Sequence, residues 1–137
     1  MFRRRKRAEP VAYDDDGSLV TVAGAFDVTT GDAAAVALLP EGRPVLVRQV
    51  FTGVGAGDVD GLAGMAAEEG WGAVTRAADG RVVVRSTRAL TPLAAAQQRA
   101  RMTGIAHRLA VVYEGWEAAL PPGPGGTSDG AGTLEGS

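Results

Sequence analysis

Residues 71–87, WGAVTRAADGRVVVRST, decide the fold. Two runs rich in Val and Thr flank Asp79–Gly80. Both residues of that pair tolerate positive φ, so the stretch reads as a hairpin, with strands at 71–77 and 81–87. Before it, DVDGLAGMAAEEG (58–70) reads as a helix with Val59, Leu62, Ala63 and Ala66 on one side. Asp58 and Asp60 favour its start through the helix dipole, and Gly70 suits its end. VLVRQVF (45–51) is β-branched and strand-like. After the hairpin, Thr91 suits an N-cap and Pro92 a first turn. That helix runs to about Leu109, with Met102, Ile105, Ala106 and Leu109 on its buried side. Gly104 weakens it or admits another backbone. AVVYEGW (110–116) is the last strand.

The order from 44 to 120 is therefore β-α-β-β-α-β. Each half is a strand–helix–strand crossover, and right-handed crossovers put both helices on one face of a shared sheet. The expected fold is α+β and ferredoxin-like: a four-stranded antiparallel sheet with two helices on one face, plus an N-terminal strand and short helix. The second face is left open, or covered by the N-terminal strand and helix, a second copy or a partner. Phe51 and Trp71 are candidates to sit near it.

The flanks read differently. Residues 1–17 have the composition of a disordered tail, basic at Arg3–Arg7 and acidic at Asp14–Asp16. Residues 18–43 form an extension: a strand at 18–26, then a short helix capped by Thr30 or Asp32 and ended by Pro40 to Gly42. Pro121 stops the domain, and 121–137 is a Gly/Pro/Ser tail.

Composition removes several classes of function. The 137 residues carry a net charge of −2 and no Cys, which excludes thiol catalysis, disulfides and thiolate metal sites. The basic start has no apolar run behind it, so it is not read as a signal peptide, and no run approaches membrane-spanning length. A cytoplasmic setting is expected.

Individual motifs carry little chemistry. GVGAGDVDG (53–61) fails the G-x-G-x-x-G spacing, with Asp58 where the third Gly belongs, and is loop slack. His107 is the only histidine, beside Arg101 and Arg108, with no marked nucleophile. Glu68 and Glu69 are neighbours on a helix and point apart. Arg81 and Arg85 share a strand face broken by Val83, and Arg76 lies across the hairpin; such residues discourage edge pairing. An RNA-binding sheet needs aromatic platforms on its central strands, and Phe51 alone is available. No catalytic residue, metal ligand or cofactor site is assigned.

VVYEGWEAAL (111–120) remains. Either Tyr113 and Trp116 plug the sheet, with Gly115 permitting a turn between them, or they form an exposed aromatic pair in a protein-binding patch. The stretch resembles the closing segment of the regulator of ribonuclease activity B family, in its Tyr-x-Gly-Trp piece at Tyr113, Glu114, Gly115 and Trp116, with Glu117 following. PEGRPVLVRQVFTG, VDGLAGMAAEEGWGAV and LTPLAAAQQRARMTGIAHRLAVVYEGW are similar to that family's first strand, first helix, and second helix with final strand. The likeness spans roughly 39–120. It implies a small, non-enzymatic cytoplasmic protein that binds endoribonuclease E beside its catalytic part and restrains RNA turnover.

The expected function is thus a protein-binding regulator, with a homodimer as a further option. Two other classes compete. A small-ligand sensor or metabolic enzyme on the same fold would show a pocket of converging polar groups. An RNA binder using the basic tail would lose a salt-sensitive interaction on deletion of residues 1–8.

Overall fold

The computed structural model describes residues 13–26, 31–72, 74–77 and 79–122. Along these the elements are β1 (Val20–Ala25), α1 (Asp32–Val36), β2 (Val45–Thr52), α2 (Val59–Glu68), β3 (Val74–Arg76), β4 (Val82–Arg88), α3 (Pro92–Leu109) and β5 (Val112–Leu120). A single 3₁₀ turn at Ala56–Asp58 leads into α2. The β-α-β-β-α-β order read from the sequence is the order observed from β2 to β5. The stretches holding Arg3–Arg7 and Thr30, and the tail beyond Pro122, lie outside the described residues.

The sheet is open and antiparallel, in the order β1-β5-β2-β4-β3. It has five strands, not the four expected. The final strand continues past Trp116 to Leu120, and its outer edge would leave a row of unpaired backbone groups. β1 pairs with that edge, Val20 opposite Leu120 and Ala25 opposite Trp116. The N-terminal strand therefore extends the sheet rather than covering its second face.

Side-chain alternation divides the sheet into two faces. Val45, Val47 and Phe51 of β2 and Val82 and Val84 of β4 join one apolar core with Leu62 and Ala66 of α2 and Met102, Ile105 and Ala106 of α3. Ala35 and Val36 of α1 belong to the same core, so the short helix packs on the helical side. Phe51 and Trp71 are also in this core, which corrects their expected place near the second face. Phe51 shares the parity of Val45 and Val47. Trp71 is turned inward after Gly70, whose φ is +86°, and its N–H donates to the Ala66 carbonyl at 2.9 Å.

The helix ends follow local chemistry. Thr91 Oγ1 accepts from the Ala94 N–H at 3.0 Å, and Pro92 occupies the first turn of α3. The helix closes at Ala110 in the left-handed region, φ 57°. A Cβ at Gly104 would meet nothing within 4 Å, so no second backbone approaches there. α1 departs from expectation. Its N-cap is Gly31 with no side-chain bond, because Asp32 lies inside the helix and its carboxylate is engaged elsewhere. Among the described residues no helix is long and apolar enough to cross a membrane.

Candidate functional site

Tyr113, Glu114, Gly115, Trp116 and Glu117 form no turn; all five belong to β5. The register against β2 slips between Val50 and Phe51, which pair with Gly115 and Tyr113. Glu114 is the extra residue of a bulge, exposed, and its Oε2 accepts from Thr52 Oγ1 at 2.6 Å. The bulge brings Tyr113 and Trp116 to the helical side. Trp116 is 0 % exposed and Tyr113 partly buried against the core, its ring centroid 5.3 Å from that of Phe51. The exposed aromatic pair is therefore absent from this face. Gly115 has φ +133° because the end of β1 crosses it, with Phe26 Cα 2.8 Å from where a Cβ would stand.

A polar network ties these aromatics to four other elements. The Trp116 indole N–H donates to Asp32 Oδ1 at 2.9 Å. Arg99 Nε donates to both Asp32 oxygens, at 2.9 and 3.0 Å, and its Nη2 to the Ala25 carbonyl at 2.7 Å. The Tyr113 hydroxyl donates to Gln49 Oε1. Burial pushes the Tyr113 phenol above its ordinary value, against the opposing pull of Arg99. The phenol is thus a neutral donor at pH 7 and no base. This cluster clamps α1, α3, β1, β2 and β5 together.

The second face of the sheet carries the charge. Leu46, Arg48 and Val50 of β2 point there with Val83, Arg85 and Thr87 of β4 and Glu117 of β5. Arg48 stands directly opposite Arg85, an arrangement that repels unless an anion lies between them. Asp15 is that anion. Its Oδ1 accepts from Arg48 Nη2 at 2.7 Å, and its Oδ2 from Arg48 Nε at 2.8 Å and from Arg85 Nε. Glu117 Oε2 takes Arg48 Nη1 at 2.8 Å. The Tyr13 N–H donates to Thr87 Oγ1 at 3.0 Å. Residues 13–17, assigned to a tail by composition, thus form a strap across this face. An Asp16 to Ser18 turn, with Gly17 at φ +93°, leads it into β1.

Asp15 is held well below the usual carboxylate range, first by its bonds to Arg48, then by Arg85, with burial opposing. A depressed folded-state value gives stability that is present above the unfolded value of about 3.9 and lost as pH falls through the folded value. Asp15→Asn is therefore expected to cost about 2 kcal/mol at pH 7. The deficit against wild type should shrink progressively below about pH 4. Urea denaturation at pH 7 and pH 3 checks this; an equal deficit at both would remove the charge from the explanation.

The other residues weighed in the sequence are scattered. His107 and Arg108 are exposed at the end of α3, Glu69 pairs with Arg101 at 2.6 Å, and Arg76 Nη2 donates to the Val54 carbonyl at 2.7 Å. Arg81 pairs with Asp79 at 2.7 Å in the hairpin. Among the described residues no three His, Asp or Glu converge to hold a metal ion. Sequence reasoning missed Asp15, Arg48, Gln49, Gln98 and Arg99, and read Asp32 only as a helix cap. Arg48 carried a signal, since it alternates with Leu46 and Val50 on the face left without helices. No family model, no curated protein and no solved structure matches this chain.

Proposed function

We propose that the chain is a non-enzymatic, ferredoxin-like regulator that binds a protein through the helix-free face of its sheet. The likeness of its closing stretch to the regulator of ribonuclease activity B family makes an E-type endoribonuclease, or its complex, the proposed cytoplasmic partner. One observation carries the reading: Arg48 and Arg85 are opposed on the two central strands and share a carboxylate delivered by the chain's own acidic segment. Arginine forks recognise carboxylates geometrically as well as electrostatically. Leu46, Val50 and Val83 lie buried beside them and become available for apolar contact only once the strap is displaced. An acidic segment of the partner takes the place of Asp15, and the strap's high effective concentration sets the affinity that the partner must exceed. Bound in this way, the protein restrains its target by occlusion rather than by chemistry.

The test is a calorimetric titration of the purified chain with the purified endoribonuclease of the same cell. Wild type should bind, and Asp15→Asn should bind about tenfold more tightly because its strap competes less. No heat with either protein at roughly tens of micromolar would overturn the reading.

A further inference from the structure

A cleft of about 200 Å³ opens on the helical side, where the end of α2, the end of β4 and the first turns of α3 meet. Glu69, Trp71, Arg88, Gln98 and Arg101 line it. Gln98 is only 4 % exposed, and among the described residues neither Oε1 nor Nε2 of its amide has a hydrogen-bond partner. Leaving a buried donor and a buried acceptor both unspent is costly, and native proteins fill such vacancies.

Arg88 is the second observation. Its guanidinium lies over the Trp71 ring, 3.9 Å from the centroid. Nε and Nη2 donate to Ser86 Oγ at 3.3 and 3.0 Å, and Nη2 to the Gly70 carbonyl at 3.4 Å. These partners are neutral. Among the described residues Nη1 has no partner and Arg88 no carboxylate, although burial disfavours its charge. Glu69, the acidic group lining the cleft, is already paired with Arg101. The cleft thus holds an uncompensated, stacked cation, and the unpartnered Gln98 amide is buried in its wall.

We infer that this cleft binds a carboxylate carrying an adjacent amide, the chemistry shared by the free C-terminus of a peptide and a small N-acylamino acid. The carboxylate pairs with Arg88 Nη1. The ligand's amide N–H donates to Gln98 Oε1 and its carbonyl accepts from Nε2, which a rotation of the Gln98 side chain brings into the cleft. A simple anion meets only half of this requirement. The inference does not rest on the second-face reading, since the cleft lies on the helical side.

The test is an NMR titration of the full chain with N-acetylglycine, following the Trp71 indole N–H and the Gln98 side-chain amide. Both signals should shift saturably at millimolar ligand, while acetate and N-acetylglycinamide bind at least about tenfold more weakly. Arg88→Ala and Gln98→Leu should each weaken N-acetylglycine by about tenfold or more. Gln98→Leu should melt no lower than wild type, because it removes an unsatisfied amide, so its loss of binding is not unfolding. A longer peptide ending in the same glycine separates the sources. Tighter binding than N-acetylglycine assigns the site to a protein terminus, and equal binding to a small molecule. No saturable shift, acetate binding as well as N-acetylglycine, or undiminished binding in Gln98→Leu would each overturn the inference.

Discussion

Trp116→Ala is expected to destabilise the protein by roughly 3–5 kcal/mol, the range for truncating a buried large aromatic. In a domain of this size that lowers the melting temperature by more than about 10 °C. The ring is 0 % exposed and pairs across the sheet with the buried Gln49. The loss exceeds packing alone. The indole N–H is one of the donors to Asp32, and Asp32 orients the Arg99 that holds the last carbonyl of β1. Removing the indole loosens α1 and the end of β1 together. Trp116→Phe separates the two terms: it keeps most of the ring and deletes the donor, so it should cost about 1–3 kcal/mol. Calorimetric melting of the three proteins checks the order wild type, Trp116→Phe, Trp116→Ala. An unchanged melting point in Trp116→Ala together with lost partner binding would restore the exposed-patch reading.

How much of this was legible depends on how local each cause is. The Asp79–Gly80 hairpin and the Thr91–Pro92 helix start rest on residues within a few positions of one another. The helix start formed as read, and the hairpin formed with only Gly80 of the pair at positive φ and with a first strand of Val74–Arg76 in place of 71–77. β1 was readable as a strand, but its seat beside β5 was not. An edge strand is placed by the free hydrogen-bonding row it finds, and that row exists because β5 runs on to Leu120. Asp15 was hidden for the same reason. A run of three aspartates beside Gly and Ser has the composition of a tail, and its anchors lie 33 and 70 residues away. The Tyr113–Trp116 piece was singled out and misjudged in shape. A glycine between aromatics suggests a turn, whereas here it lets a neighbouring strand's backbone cross a bulge. Gln98 was within reach, because it continues the buried stripe Ala95, Met102, Ile105 and Ala106 at helical spacing. A polar residue on such a stripe is the informative exception.

Gly115→Ala tests that crossing. Its φ of +133° is strained for any L side chain, and the added methyl would fall on the Ala25 carbonyl oxygen and 2.8 Å from Phe26 Cα. Strained dihedrals cost about 1–3 kcal/mol, and overpacking costs a similar amount, so a total of roughly 2–5 kcal/mol is expected. The obstacles are mainly backbone, so no rotamer change relieves them, and Phe26→Ala should not rescue the variant. The strain has one outlet. Among the described residues β1 is an edge strand, held by its ladder to β5, by the Arg99 bond to Ala25 and by only two small core side chains, Ala23 and Ala25, while β2, β4 and β5 give the core Val45, Val47, Phe51, Val82, Val84 and Trp116. Detaching the end of β1 removes the clash and leaves the central strands paired. Hydrogen exchange in Gly115→Ala should therefore lose protection along Val20–Ala25 at temperatures where β2 and β4 remain protected, and the melting temperature should fall. Wild-type protection in β1 together with an unchanged melting temperature would mean that β1 does not press on Gly115, and its seat at the edge of β5 would have to be redrawn.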